Sequence, residues 1–301
     1  SAKGTEFFAR HLLGADNAVN AKEIPPEKRP KEMVWREEAA TAKIDLVWTA
    51  DFRNTSTTLL SDIVLPAATW YEKYDLSSTD MHPFIHSFNA AIDPPWEART
   101  DFQIFQTLAA LVSEMAATHL GTQLDVVATP LNHDTPDALA MPRGEVTPWA
   151  TTPKIPGVTM PKLIPIERDY TQILAKFNTL GPLATKVGMV TKAVTYDPTP
   201  EAEYLAAKNG IAKFGPGAGS ALLDTDIKAA EMVLAFSGTT NGRLATTGFQ
   251  KLEERTGQRL ADLAAEHEGT RISFSDVQAR PVPVVTSPEW SGSETGGRRY
   301  S

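Results

Sequence analysis

Residues 43–73 read KIDLVWTADFRNTSTTLLSDIVLPAATWYEK, and their pattern decides the fold class. The first apolar run, residues 44–49, is short and bounded, as expected of a strand covered on both faces in a parallel sheet. Asp51 follows at once. A polar connection, residues 53–58, leads to a second short apolar run at 63–65, which Pro66 closes because it brings no N–H to a strand ladder. Two such strands joined this way predict an α/β fold with a parallel sheet. Ligands of open α/β sheets lie beyond the carboxyl ends of the strands, so Asp51 and the residues after Pro66 stand where a nucleotide would be held. A carboxylate at Asp51 can accept from the N1–H and exocyclic amine of guanine, a pairing that adenine cannot match. The alternative is that Asp51 only caps the turn that follows it.

Beyond this stretch, residues 74–95 show no regular period but are dense in polar side chains: Asp75, Ser77, Ser78, Thr79, Asp80, His82 and His86. They read as a long functional loop. His82 and His86 have the four-residue spacing of helical zinc ligands, but Pro83 between them argues against a helix and no glutamate base lies between them. They read as hydrogen-bonding histidines. Residues 101–119 are the clearest helix, opened by Thr100-Asp101 and carrying Phe102, Phe105, Leu108, Ala109 and Val112 at helical spacing. That stripe is expected to pack against the sheet.

At the start of the chain, residues 6–13 form an amphipathic run with Ser1 and Lys3 just before it. The free N–H groups of a helix N-terminus there, with Lys3 beside them, suit a phosphate; an ordinary capped helix explains the same residues. Residues 17–41 are charged, proline-containing loop. From residue 124 to 220 prolines recur so often that long helices are excluded until after Arg168, which predicts irregular, wrapping chain. GPGAGS at 215–220 lacks the Gly-Lys-Ser/Thr ending of a phosphate loop and reads as a flexible turn. Helices are expected at 224–234 and 249–265 with a turn at Asn241-Gly242, then short strands at 272–274 and 282–285.

Composition narrows the function classes. With 42% hydrophobic residues among 301 the chain can form a core, and a net charge of -8 with scattered basic residues argues against nucleic acid. Absence of cysteine excludes disulfides, thiolate catalysis and Cys-ligated clusters from this segment. No apolar run nears the ~18 residues of a membrane span, and SAKGTEFF lacks the layout of a signal peptide, so membrane attachment is expected only through a partner.

The wording SDIVLPAATWYEKYDLSSTDMHPFIH, residues 61–86, resembles the third domain of the molybdopterin-dinucleotide oxidoreductases. Its continuation through DPPWEARTDFQIF, HLGTQLDVV, AAEMVLAFSGTTNG and TSPEWSG is similar to the catalytic alpha subunits of respiratory nitrate reductases. The resemblance implies an internal fragment: residues 1–123 as part of a Rossmann-like, parallel-sheet domain for molybdopterin guanine dinucleotide, and residues 124–301 as a family-specific irregular and helical segment packed on it or on partner subunits. It implies a molybdenum bis(molybdopterin guanine dinucleotide) cofactor, a 4Fe-4S cluster with ligands outside this chain, and oxygen-atom transfer from nitrate. Electrons would arrive through an iron-sulfur beta subunit and a haem-bearing membrane gamma subunit, at the cytoplasmic face of a bacterial membrane. By the same resemblance Ser1, Lys3, Asp51 and Asp75 contact the dinucleotide, and the chain holds neither catalytic nor metal-ligating residues. Ala67 departs from the threonine that relatives often carry after Leu-Pro, which leaves only backbone groups for a contact there. The chain alone is expected to be inactive. Two other readings remain: a related molybdenum oxidoreductase acting on selenate, perchlorate or a sulfoxide, and a stand-alone nucleotide-binding or scaffolding module without redox activity.

Overall fold

The computed structural model of the chain describes residues 44, 46–79, 82–128, 151, 153–156, 162–191, 194–257, 259 and 265–285. The expectations for Ser1, Lys3, Asp80 and residues 6–13 and 17–41 lie outside the described residues. Two compact units emerge: Ser1–Thr69 with Ile92–Ile104, and Trp70–Ala91 with Phe105–Ser301.

In the first unit, β1 (Trp48–Asp51) and β2 (Ile63–Pro66) pair in parallel, with Trp48 opposite Ile63 and Asp51 opposite Pro66. The polar connection between them holds one helical turn, α1 (Ser56–Leu59). Thr55 starts it through a reciprocal box, its Oγ1 accepting from Thr58 N (3.3 Å) while its own N–H donates to Thr58 Oγ1 (2.7 Å). Past β2 the chain bridges in parallel to Arg99: Ala68 N donates to Arg99 O (2.8 Å) and Arg99 N to Pro66 O (3.2 Å). The parallel arrangement expected of residues 43–73 is therefore present, but burial on both faces is not. Among the described residues the first strand begins at Trp48 rather than at residue 44, and Trp48, Ile63 and Val64 are exposed, since the described part of this sheet is two short strands and one bridge.

Helix α2 (Asp101–His119) has the bounds expected of it. A second reciprocal box opens it, with Thr100 N donating to Gln103 Oε1 and Gln103 N to Thr100 Oγ1, both at 3.2 Å. Its stripe is packed only in part: Ala109 is buried and Phe102 and Leu108 are half-buried, whereas Phe105 and Val112 are 49% and 40% exposed. Ala109 and Ala116 are buried and lie on one helical stripe with the half-buried Gln106 and Ser113, whose polar groups are used in bonds. Gln106 Nε2 donates to Asn178 Oδ1 (2.8 Å) and Asp224 O (3.1 Å), and Ser113 Oγ accepts from Leu174 N (2.9 Å).

The rest of the second unit comprises, in chain order, β3 (Asp75–Thr79), β4 (His82–Phe88), β5 (Thr122–Ala128), β6 (Leu163–Asp169), α3 (Ile173–Phe177), α4 (Leu183–Val187), β7 (Met189–Thr191), β8 (Val194–Tyr196), α5 (Thr199–Asn209), α6 (Asp226–Ala235), α7 (Gly242–Thr256), α8 (Phe274–Ala279) and β9 (Val282–Pro283). β3 and β4 form an antiparallel hairpin with a bulge at Ser78/Thr79, and β9 pairs with the other edge of β4. This overturns the irregular loop expected over residues 74–95. A ribbon of β5 and β6, paired from Thr122 opposite Asp169 to Ala128 opposite Leu163, likewise replaces irregular chain at its two ends.

The core of this unit gathers Ile85 of β4, Leu234 of α6, Phe249 of α7 and Phe274 and Val277 of α8. Residues 272–274, expected as a strand, lead instead into α8, because Ser273 and Asp276 make a capping box: Ser273 N donates to Asp276 Oδ2 at 2.8 Å. Asn241-Gly242 is a helix start rather than a turn between helices, since Asn241 Oδ1 accepts from Arg243 N (3.2 Å). Gly242 lies so close to the His267 carbonyl that no Cβ fits. α7 ends at Gly257, in the left-handed region at φ 68°, instead of continuing to residue 265. Residues 215–220 do form a turn, closed by bonds from Ala218 N to Gly215 O (3.1 Å) and Ser220 N to Gly217 O (2.9 Å).

Candidate functional site

Asp51 is the last residue of β1, half-buried at its carboxyl end. Its Oδ1 accepts from Arg53 N at 2.9 Å and its Oδ2 from Thr55 Oγ1 at 3.4 Å, so the carboxylate does hold the turn after the strand. Each carboxylate oxygen has two lone pairs, and one bond apiece leaves acceptor capacity on both. The backbone at Ala67 is different: its N–H donates to Asp51 O (3.2 Å), so of the backbone groups left for a contact there the N–H is already engaged in extending the parallel pairing.

Asp75, the first residue of β3, lies in the second unit. Oδ1 accepts from Leu76 N (2.8 Å) and Oδ2 pairs with Lys73 Nζ (3.0 Å). Successive residues of a strand face opposite ways, and Ile85 of β4 points into the core. His82, Phe84, His86 and Phe88 therefore share the outer face of the hairpin, where Asp75 stands opposite Phe88 and Ser77 opposite His86. The rings form a continuous row. Centroid distances are 6.0 Å from Phe84 to His82, 6.2 Å from His82 to His86, 5.7 Å from His86 to Phe88 and 6.3 Å from Phe88 to Trp70. Among the described residues no group of three His, Asp or Glu is placed to hold a metal ion.

A third polar centre is one that the sequence did not single out. Glu201 of α5 is fully buried, and its Oε1 accepts from Asn241 Nδ2 (3.0 Å), Arg243 Nε (2.9 Å) and Arg271 Nη2 (3.3 Å), while Oε2 accepts from Arg243 Nη2. The hydrogen bonds from Arg243 to Glu201 push the guanidinium above its already high range. Arg271 also lies 4.4 Å over the Tyr204 ring, whose hydroxyl donates to the buried Glu231 Oε1 at 2.5 Å. Burial, then the bond to Glu231, raise the Tyr204 phenol well above the ordinary tyrosine range. Glu231 Oε2 in turn accepts from Phe274 N (2.9 Å). The network joins α5, α6, α7 and the start of α8. A signal existed in α6, where Glu231 stands on the same helical face as Ile227 and Leu234.

Residues 9–111 match the family model described as Molybdopterin oxidoreductase, and residues 187–301 match Nitrate reductase alpha chain, domain V. All of this chain aligns with the Nitrate reductase alpha subunit of Mycobacterium tuberculosis at 54% identity over 303 residues, 25% of that protein. It also aligns along its full length with the Respiratory nitrate reductase 2 alpha chain of Escherichia coli, 41% identical over 305 residues and 24% of that protein. The Perchlorate reductase subunit alpha of Dechloromonas aromatica is 51% identical over 81 residues, 27% of this chain and 9% of that protein. No described helix is long and apolar enough to cross a membrane. A molybdopterin oxidoreductase region and a nitrate reductase domain V thus lie in one chain, which is similar along its full length to nitrate reductase alpha subunits and spans about a quarter of the length of those relatives.

Proposed function

We propose that this chain holds the dinucleotide part of a molybdenum bis(molybdopterin guanine dinucleotide) cofactor within the alpha subunit of a nitrate reductase. One observation carries the reading: a half-buried carboxylate, Asp51, at the carboxyl end of a parallel strand inside the region that matches Molybdopterin oxidoreductase. The acceptor set fits the two donors of guanine. Asp51 keeps a lone pair on each oxygen after bonding Arg53 N and Thr55 Oγ1, and those bonds hold the carboxylate in one orientation. Asp75 is a second contact of the dinucleotide, with Ser1 and Lys3 serving its phosphates. When bound, the molybdenum centre supplies the oxygen-atom transfer that converts nitrate to nitrite.

Around that role the remaining readings fall into place. β1 and β2 belong to a Rossmann-like sheet of a domain drawn from residues 1–123, and residues 124–301 form the family-specific segment; the two family matches fall on either side of that division, while residues 70–91 and 105–123 pack in the same compact unit as the later segment. A 4Fe-4S cluster is ligated outside this chain, and electrons come through an iron-sulfur beta subunit and a haem-bearing gamma subunit at the cytoplasmic face of the membrane. Perchlorate is the second substrate to weigh, given the match to a perchlorate reductase, but that match covers 27% of the chain where nitrate reductases match all of it.

The test is molybdenum content of the complete subunit carrying Asp51→Ala or Asp51→Asn. Alanine leaves two guanine donors unpaired, a loss on the order of 1–3 kcal/mol, and asparagine replaces one acceptor with a donor. Both variants are expected to purify with less molybdenum than the parent. Full occupancy in both removes Asp51 from cofactor binding.

A further inference from the structure

Two local bonds fix opposite tautomers on neighbouring rings of β4. The Phe84 N–H donates to His82 Nδ1 (3.3 Å), so the neutral His82 ring carries its proton on Nε2. His86 Nδ1 lies 3.4 Å from the Ser87 carbonyl, an oxygen that only accepts, so the neutral His86 ring carries its proton on Nδ1 and keeps Nε2 as an acceptor. A donor and an acceptor thus stand side by side on one strand face, in rings 6.2 Å apart and inclined by 39°. Aromatic surface continues on both sides of the pair, with Phe84 next to His82 and the edge of Phe88 against His86. A planar ring laid on such a row gains stacking, and the two imidazoles supply directional bonds. Asp75, across the hairpin, already accepts on both oxygens, from Leu76 N and Lys73. The bonds of the two rings run through Nδ1 in each, which leaves both Nε2 atoms to serve a ligand.

We propose that His82 and His86 recognise a lactam edge, an N–H beside a carbonyl, on a planar heterocycle: His82 donates to the carbonyl and His86 accepts from the N–H. Guanine and a pterin share that edge, and the proposal rests on the reading that this chain holds a molybdopterin dinucleotide; since Asp51 takes the N1–H of one guanine in that reading, a guanine here is that of the cofactor's second dinucleotide. No bond is made or broken; the two rings orient the heterocycle.

Ring nitrogen NMR of the full chain, labelled at its six histidines and assigned with His82→Gln and His86→Gln, reads the two tautomers directly. Guanosine 5′-monophosphate or pterin-6-carboxylate, added at millimolar concentration, is expected to shift both ring signals. 1-Methylguanosine 5′-monophosphate, which has lost the N–H, is expected to leave His86 unmoved. A response to the nucleotide alone assigns the face to guanine, and a response to the pterin alone assigns it to the pterin. His86→Phe, which keeps the ring row, should weaken binding about tenfold, while His86→Gln, which keeps an acceptor, should stay within about threefold. Unmoved signals with both ligands, or equal shifts with the methylated nucleotide, overturn the proposal. Failure here is separable from failure of the cofactor reading. If His82→Phe and His86→Phe leave the molybdenum content of the complete subunit unchanged while Asp51→Ala lowers it, only the imidazole pair is wrong.

Discussion

Replacing Glu201 with alanine should destabilise the second unit more than any single surface change, and its magnitude follows from what the carboxylate holds. The side chain is 0% exposed, with Arg243 and Arg271 at 32% and 27% beside it. Removing one member of a buried ion pair typically costs about 3–5 kcal/mol, because the partner is left charged without compensation. Here the lower end applies, about 3 kcal/mol, since both guanidiniums keep some access to water and Arg243 keeps its bond to Asp197 O (2.8 Å). For a unit of this size about 3 kcal/mol corresponds to a fall in Tm of roughly 6–12 °C. Glu201→Gln preserves volume and one acceptor and should lose only about 1–2 kcal/mol. Calorimetry reads the Tm, and hydrogen exchange in α5 and α7 reports whether the loss is local to the network. A double variant, Glu201→Ala with Arg243→Met, should be less destabilised than the sum of the singles, because it no longer strands that charge. A Tm for Glu201→Ala within about 1 °C of the parent would refute the reasoning, since no compensated burial predicts so small a change.

Two further outcomes follow from local geometry. Gly242→Ala puts a Cβ onto the His267 carbonyl, so the start of α7 must shift away from residues 265–267; a loss of about 1–3 kcal/mol is expected in urea unfolding, and parental stability would count against so close an approach. The Asp276 carboxyl is held below its ordinary value of 3.8, first by the Ser273 hydroxyl and then by the Ser273 N–H, so its contribution is fully present above that pH and is lost as pH falls below 3.8 through the lower folded value. Asp276→Asn should flatten the acid limb of the stability profile between about pH 4 and 2, and an unchanged profile counts against the capping box.

What the sequence revealed of the fold depended on how local the determinants were. The α2 bounds were readable because Thr100 and Gln103 cap it from within one turn, and the parallel pairing of β1 and β2 was readable because Pro66 and the two apolar runs lie in one short stretch. Residues 272–274 read as a strand although Ser273 and Asp276 carry the same kind of cap, because the apolar residues at 272 and 274 alternate as a strand would, and α8 begins at the last of them. The stripe on α2 was readable as a stripe, but the exposure of Phe105 and Val112 within it was not: the packed side is set by Asn178, Leu174 and Asp224, whose distance along the chain hides them. Glu201 was invisible for the same reason, since its arginines come from residues 243 and 271.

The β3–β4 hairpin shows why the candidate site was only half readable. In residues 82–88, HPFIHSF, both alternate sets contain apolar residues, so period alone does not say which set faces inward. The choice is made by the carboxyl-terminal region, where Phe274, Val277 and Val285 form the core that takes Ile85. Ser87 Oγ donates to Val277 O (3.3 Å), 190 residues later, and Gln278 Nε2 donates to Asn89 Oδ1 (3.1 Å). With Ile85 drawn inward, His82 and His86 are turned outward together with the rings beside them. The region matching nitrate reductase domain V thus sets the register and facing of a hairpin that lies in the molybdopterin oxidoreductase match, so the two regions share one core. Changes at Val277 or Phe274 should therefore disturb the imidazole face without touching it, through the inward pull on Ile85 that orients the strand.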